Sequence, residues 1–149
     1  MEKVAEDELR KTIVVDATPE VVFKALTDEK ELVEWMPTSA KMDARVGGEY
    51  EFRYYWPERN VDSTSWRKIL ELVPNRKLSY TWNARKSGSP MPFNASIVTW
   101  ILEELPEGKT RVTLTHSGES KEVRQDRDRG WTHFLAELET FVKKQDSQA

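Results

Sequence analysis

The residue types that most often do chemistry in proteins are scarce in this chain. Cysteine is absent, and the two histidines are His116 and His133. His116 alternates with Val112 and Leu114, which predicts that it lies on the inward face of a strand. In the C-terminal helix, His133 lies about 160° or more from the line of Leu135 and should face water. The two imidazoles should therefore not share a metal ion, and we expect neither a metal site nor a bound cofactor.

Aromatic rings dominate the predicted strands. Residues 50–56 place a ring at every second position, and apolar side chains alternate in the same way in residues 78–82 and 98–102. Acidic residues such as Glu51 and Glu103 alternate out of phase with the rings and should be solvated. Paired carboxylates for acid–base catalysis are therefore not expected in the interior. We expect inward rings at Tyr50, Phe52, Tyr54, Trp56, Tyr80, Trp82 and Trp100.

An inward aromatic wall has two interpretations. It favours a flat or apolar ligand, oriented by a few hydroxyl, indole N–H and imidazole groups. It is also typical of a packed core, and we expect roughly half of the inward side chains to touch no ligand. His116 is open to a structural role, a role as ligand anchor, or a role as proton carrier. Trp131 is interpreted mainly as a packing anchor, because Gly130 beside it suggests a close approach of helix to sheet.

Near the N-terminus, local sequence patterns predict the strand and helices that position these residues. Residues 12–16 form a β-branched run that is typical of a strand. Thr18, followed by proline, and Asp28 are helix-start signals, which predict two short helices ending near Trp35. The glycine pair at 47–48 then marks a turn or bulge before the aromatic strand.

The rest of the chain alternates strands with turns and ends in a helix. Strands are also predicted at 66–73 and 112–116, whereas residues 83–94 are predicted to form a long loop and residues 145–149 to fray. Short turns predict an antiparallel sheet of six to seven strands, which tends to curl. The helix of residues 124–144 can cover its concave side with one wide apolar face: Trp131, Phe134, Leu135, Leu138, Phe141 and Val142.

Composition is that of an ordinary globular domain. Hydrophobic residues make up 38% of the chain and charged residues 33%, with a net charge of −3. We find no run of Lys and Arg long enough to predict nucleic-acid binding, and no apolar run long enough to span a membrane. We predict one α+β domain over residues 1–149, with its core at about 12–144, in a cytoplasmic protein.

Several motifs in order resemble those of a known superfamily. Asp43-x-Arg-x-Gly-Gly-x-Tyr, Leu78-x-Tyr-x-Trp82, Thr113-Leu-Thr-His-Ser-Gly118 and Gly130-Trp131 are similar to motifs of the START-like, helix-grip superfamily. Within it, the chain most resembles the branch homologous to the activator of the heat-shock protein 90 ATPase. The resemblance implies a helix-grip fold with a cavity between the sheet and the long helix, used in many relatives for apolar or amphipathic small molecules. The branch name also implies chaperone work.

Three functions remain open at this point. The first is non-enzymatic binding of an apolar or aromatic small molecule in the cavity, and the second is a protein-interaction module, with a chaperone as partner. The third is a cyclase- or hydratase-like enzyme that uses His116 with a tyrosine as acid and base. For the first, we expect the ligand to contact Phe52, Tyr54, Trp56, Tyr80, Trp82, Trp100, His116, Trp131, Phe134 and Leu135, with Trp35 and Met36 near an entrance.

Overall fold

The computed structural model describes residues 8–36, 39–86, 96–118 and 121–147 of the 149-residue chain. One strand is followed by two short helices, six strands and a long helix. Single 3₁₀ turns, Pro57–Arg59 and Pro106–Gly108, precede the fourth and the last strand. The strands are β1 (Leu9–Val15), β2 (Ser39–Met42), β3 (Glu49–Trp56), β4 (Val61–Val73), β5 (Lys77–Lys86), β6 (Ser96–Leu105) and β7 (Lys109–Ser117); the helices are α1 (Pro19–Thr27), α2 (Glu29–Trp35) and α3 (Lys121–Ser147).

The seven strands form one antiparallel sheet in the order β1-β7-β6-β5-β4-β3-β2. Strands β2 to β7 follow each other as a meander, and β1 pairs with β7 so that Leu9 lies opposite His116. The sheet is curled, and α3 packs against it. The predicted α+β helix-grip architecture is confirmed.

The two short helices begin where the sequence predicts. The Thr18 hydroxyl accepts a hydrogen bond from the Val21 backbone N–H at 3.4 Å, and Pro19 occupies the first turn of α1. Asp28 both ends α1 and caps α2: its backbone N–H donates to the Lys24 carbonyl at 2.9 Å, while its carboxylate accepts from the Lys30 N–H at 2.8 Å. One residue therefore forms the whole junction between the two helices.

Helix α3 buries the face that its periodicity predicts. Trp131, Leu135, Leu138 and Val142 are all at most 3% exposed, and the rings beside them are half-buried. The helix is longer than predicted at both ends, because its terminal turns are polar and have no apolar periodicity to mark them. Gly130 was interpreted as a close approach, and this was wrong, since a Cβ there would meet no heavy atom within 4 Å.

A tight turn docks against β4 through the glycine pair. Gly47 has a φ of +84°, which favours glycine, and its N–H donates to the Ile69 carbonyl at 2.8 Å. The Ile69 N–H donates in return to the Gly48 carbonyl at 2.9 Å. A Cβ at Gly48 would lie only 2.0 Å from the Asp43 carbonyl oxygen, so the turn leaves no space for a side chain there.

The predicted loop at 83–94 was partly wrong. Backbone pairing of β5 with β4 continues as far as Lys86, which lies opposite Ser63. The sequence places polar residues there, so no apolar alternation marks the strand, although the long β4 supplies backbone partners. Residues 87–94 of that loop, and residues 148–149 of the predicted frayed end, lie outside the described residues.

Candidate functional site

The interior between the sheet and α3 is filled by interlocking rings. The indoles of Trp100 and Trp131 meet edge-to-face with centroids 5.6 Å apart, and Trp82 meets Trp131 at 5.5 Å. Trp35, from α2, packs edge-on against Trp100 at 6.2 Å. Each of these four indoles is at most 9% exposed. The predicted inward direction of the aromatic strand residues is therefore correct for these rings, which pack against one another as a core.

Most polar tips of these rings bond to the protein itself. The Trp100 indole N–H donates to the Tyr80 hydroxyl at 3.0 Å, and the Trp35 indole N–H donates to the Ala25 carbonyl at 2.9 Å. The Tyr50 hydroxyl donates to the Leu26 carbonyl at 2.6 Å, joining β3 to α1. These groups are satisfied within the fold, so they orient the core.

His116 is held in one neutral tautomer by its neighbours. The Trp131 indole N–H, which can only donate, bonds to His116 Nδ1 at 3.0 Å, so Nδ1 has no proton. The proton is then on Nε2, which lies 2.8 Å from Ser96 Oγ and donates to it. Ser96 Oγ in turn lies 3.4 Å from the Trp82 carbonyl. Burial lowers the pKa of His116 to about 3, with smaller contributions from the charges of Arg127 and Arg67.

This arrangement argues against acid–base catalysis by His116. Although Ser96 and His116 are as close as a nucleophile and its base, the base would need a lone pair on Nε2, and that nitrogen is the protonated one. Burial raises the pKa of Tyr54 and of Tyr80, and Arg67 opposes this rise more weakly, so both hydroxyls stay protonated at neutral pH. Neither the imidazole of His116 nor the hydroxyls of Tyr54 and Tyr80 are therefore suited to accept a proton.

Arg67 is a buried cation in the described part of the interior, and the alternation in the sequence does not predict it. Its side chain, on the inner face of β4, is 2% exposed. The guanidinium carbon lies 3.7 Å from the Trp82 ring centroid, 4.0 Å from that of Phe52 and 5.1 Å from that of Tyr80. One terminal nitrogen donates to the Tyr54 hydroxyl at 3.3 Å.

Strand register could have located Arg67. It lies directly opposite Tyr50 across the β3–β4 pair. Residues that face each other across antiparallel strands share a face, so the inward direction of Tyr50 requires an inward Arg67. Ile69, two residues further along β4, is buried as well. Charged residues are usually assigned to the solvated face of a strand, so Arg67 was not predicted to face inward.

An open groove of about 950 Å³ lies outside the ring-filled core, between α2, the end of β3 and α3. We call it the α2–α3 groove. Its apolar lining is Val33, Trp35, Met36, Trp56 and Phe134, and its polar rim is Glu34, Glu58, Arg59, Arg129, His133 and Glu137.

Tyr54 lies between the α2–α3 groove and Arg67. Its ring is 5.8 Å from that of Trp56 and 6.3 Å from that of Phe134, both of which line the groove. Its hydroxyl is the group that accepts the hydrogen bond from Arg67. The groove and the buried cation are therefore neighbours through a single tyrosine.

The twelve residues predicted to contact a ligand separate into two sets. Four line the α2–α3 groove and Tyr54 adjoins it. The other seven are buried in the core, where Leu135 also borders a second groove of about 370 Å³ between β1 and α3. The groove set is Trp35, Met36, Trp56 and Phe134, and the core set is Phe52, Tyr80, Trp82, Trp100, His116, Trp131 and Leu135.

Two features are absent from the described residues. No helix among them is both long and apolar enough to cross a membrane. Nor do three or more of their His, Asp or Glu side chains come together in a way that could hold a metal ion. The side chain of His133 is 65% exposed, and its Nε2 lies 3.9 Å from a carboxylate oxygen of Glu137.

Comparison with known proteins agrees with this fold. The family model described as Activator of Hsp90 ATPase homolog 1-like protein matches residues 16–143. A solved protein from Chromobacterium violaceum is 27% identical with a TM-score of 0.80, covering 92% of this chain and 97% of that one. One from Mesorhizobium loti is 25% identical with a TM-score of 0.77, covering 93% and 98%.

A more distant structure is similar in fold alone. The Aha1 dimer from Colwellia psychrerythraea is 23% identical with a TM-score of 0.73, and the match covers 91% of this chain and 96% of that one. The search of curated proteins gives no match. Since the family model spans nearly the whole folded region, from the end of β1 to the last turns of α3, the chain belongs to the family of Activator of Hsp90 ATPase homolog 1-like proteins, a branch of the START-like superfamily.

Proposed function

We propose that this protein binds an apolar or amphipathic small molecule, without catalysis, and that the α2–α3 groove receives the apolar part of that ligand. The observation that carries the proposal is the groove itself, whose volume of about 950 Å³ lies in the range of small-molecule sites. Trp35, Met36, Trp56 and Phe134 supply flat and adaptable apolar contacts, and charged side chains surround them.

The driving force would be burial of apolar ligand surface. A ligand that buries about 200 Å² of such surface gains about 5 kcal/mol before the cost of association. The rings of the core set, packed against one another and hydrogen-bonded, keep the groove wall in place rather than forming it. The neutral, doubly hydrogen-bonded His116 is the reason for preferring binding to catalysis.

The test uses two tryptophans on opposite faces of the sheet. Trp56 is half-buried in the groove, whereas Trp66 lies on the outer face at 37% exposure, where its indole N–H donates to Glu51 at 3.1 Å. Ligands are first found by native mass spectrometry of protein purified from its own host, or by tryptophan fluorescence against apolar compounds. Calorimetry should then show binding weakened at least about tenfold in Trp56→Ser and unchanged in Trp66→Ser. Equal affinities in all three proteins would refute the groove as the site.

A second candidate is a protein-interaction role, as the family description suggests. The observation that favours it is a set of apolar side chains on the outer sheet face, each 37–42% exposed: Tyr55, Trp66, Ile97 and Ile101. Stimulation of a purified heat-shock protein 90 ATPase by this protein, lost in Trp66→Ser and kept in Trp56→Ser, would establish it. No stimulation by the unmodified chain would remove this candidate.

A further inference from the structure

Strand β1 forms one of the two edges of the sheet. All of its residues pair with β7 in an unbroken register, and no described strand lies on its other side. In an antiparallel pair, every second residue directs its backbone N–H and C=O away from the partner strand. Within the described part of the chain, no hydrogen bond reaches these outward groups of β1, so they can pair with another chain.

The opposite edge of the sheet, β2, is shorter and partly covered. It has four residues, and the Met42 backbone N–H donates to a carboxylate oxygen of Glu29, on α2, at 2.7 Å. Short and covered edges are common protections against pairing between proteins. β1 has seven residues, with neither a proline nor a bulge among them. Of the two edges, β1 is therefore the one suited to accept a further strand.

The groove of about 370 Å³ between β1 and α3 runs along this free edge. It borders residues 10–13 of β1 and Thr132, Leu135, Ala136 and Glu139 of α3. Consecutive side chains of a strand point to opposite faces of the sheet, so a groove that borders four in a row follows the strand edge. Thr132 and Ala136 are small and exposed, which leaves space between the edge and the helix.

The two walls of this groove determine which kind of strand fits. An entering strand would pair with β1 on one side and face α3 on the other. In a second copy of this chain, β1 is already paired with β7 on one side, so its sheet would have to occupy the position of α3. A single extended segment of another protein meets no such obstacle. In this mode of recognition, backbone hydrogen bonds give affinity and side-chain contacts give specificity.

The charge of Glu139 indicates the composition of that segment. Lys11 forms an ion pair with Asp128, and Glu139 lies about 16 Å further along α3. Helix α1, which follows β1, also packs against α3, so Glu139 lies towards the end of β1. Glu139 is exposed and forms no ion pair with another described residue. A segment antiparallel to β1 would place its N-terminal half there, and a Lys or Arg in that half would complement the carboxylate.

We propose that β1 and α3 together form a docking site for an extended segment of a partner protein, which joins the seven-stranded sheet antiparallel to β1. Apolar residues at alternate positions of the segment contact Ile13 and Ala136, and a basic residue in its N-terminal half lies beside Glu139. This site is separate from the α2–α3 groove and shares no lining residue with it.

The test adds a synthetic peptide, acetyl-Lys-Val-Thr-Val-Ser-Val-amide, to the full protein and follows amide hydrogen exchange in ¹H–¹⁵N spectra. Alternate amides of β1 should exchange rapidly in the free protein and at least about tenfold more slowly with saturating peptide. The alternation is specific to strand pairing, since binding through side chains alone would not produce it. The same peptide with N-methylated valines, which cannot donate backbone hydrogen bonds, should give no protection.

Two tryptophan variants form a matched pair. Ala136→Trp fills the groove and should abolish the protection, whereas Thr140→Trp adds the same ring at an exposed position that lines neither described groove and should preserve it. Glu139→Lys should weaken binding of the peptide and strengthen binding of a version with Glu in place of its Lys.

Several results would overturn the docking site. They are slow exchange of all β1 amides in the free protein, absence of alternating protection at millimolar peptide, and equal protection in Ala136→Trp and Thr140→Trp. Sedimentation of the free protein as a dimer, with alternate β1 amides protected, would assign the edge to a second copy and would also refute the proposal. None of these results bears on the α2–α3 groove, which is tested separately.

Discussion

At the scale of single residues, hydrogen-bond chemistry decides what His116 can do. An indole N–H has no lone pair to accept with, so the bond from Trp131 assigns the proton of the imidazole to the other nitrogen. A charged imidazole would have to break that bond and would lie near Arg127 and Arg67. The residue that looks most catalytic in the sequence therefore serves to join α3 to β6 and β7.

The buried, hydrogen-bonded state of His116 predicts that the stability of the protein depends on pH. His116 has a folded pKa of about 3 against an ordinary value of 6.5, so the unfolded chain binds the proton first as pH falls. Its contribution is complete above pH 6.5 and is lost towards pH 3, at up to about 1.4 kcal/mol per pH unit. His116→Gln keeps a donor and an acceptor but cannot titrate. The free energy of unfolding, from urea titrations between pH 7 and pH 4, should fall more steeply in the unmodified protein, and parallel curves would contradict the assignment.

At the scale of elements, sequence patterns were most reliable where one face is apolar and the other polar. The alternation in β3 and the stripe on α3 located the rings and the gripped helix, and Thr18 and Asp28 located two helix starts. The patterns failed where tertiary context overrides them. Examples are Arg67, a cation on an inner face, and the end of β5, where backbone pairing with β4 holds a polar segment in a strand.

Only part of the candidate site could be predicted from the sequence, for a related reason. Periodicity tells which side chains face inward, but it does not distinguish a ring that packs on other rings from one that borders open space. That distinction depends on how α2 and α3 are spaced around the end of β3, which is a long-range property. Trp56 and Trp82 have the same inward phase in the sequence and lie in different environments.

At this scale, alanine substitutions at two glycines should change the stability of the protein in opposite directions. Gly48→Ala should destabilise the protein by about 1–3 kcal/mol or more, because the new Cβ would lie 2.0 Å from the Asp43 carbonyl and 2.9 Å from that of Arg45. Gly130→Ala, in the interior of α3 with no atom within 4 Å of the new Cβ, should stabilise it by about 0.5–1 kcal/mol. Urea denaturation of both variants measures the two signs. A Gly48→Ala variant that is not destabilised would contradict the tight turn, and a destabilised Gly130→Ala variant would contradict the open surroundings of that position.

At the scale of the whole molecule, the chain is closed by contacts between its ends. β1 pairs with β7, and Lys11 of β1 forms an ion pair with Asp128 of α3. Thr110 of β7 donates to the Ala17 carbonyl at 2.7 Å, at the junction between β1 and α1. β1 therefore cannot leave the sheet without breaking contacts that are remote in sequence.

This closure leads us to expect one cooperative unfolding unit, which would test the prediction of a single domain over residues 1–149. Scanning calorimetry should give one transition in which the calorimetric and van't Hoff enthalpies agree. Two separated transitions, or a van't Hoff enthalpy well below the calorimetric one, would mean that the α1–α2 region or α3 unfolds independently of the sheet.

The edge-to-face contacts of Trp82, Trp100 and Trp131 also affect how the protein absorbs light. Indoles whose centroids are 5.5–5.6 Å apart, with interplanar angles of 70° and 82°, share their electronic excitations instead of absorbing one by one. Such coupling adds paired bands of opposite sign to the ultraviolet circular dichroism of the peptide groups. A conventional deconvolution of that spectrum would therefore misjudge the proportions of strand and helix in this fold.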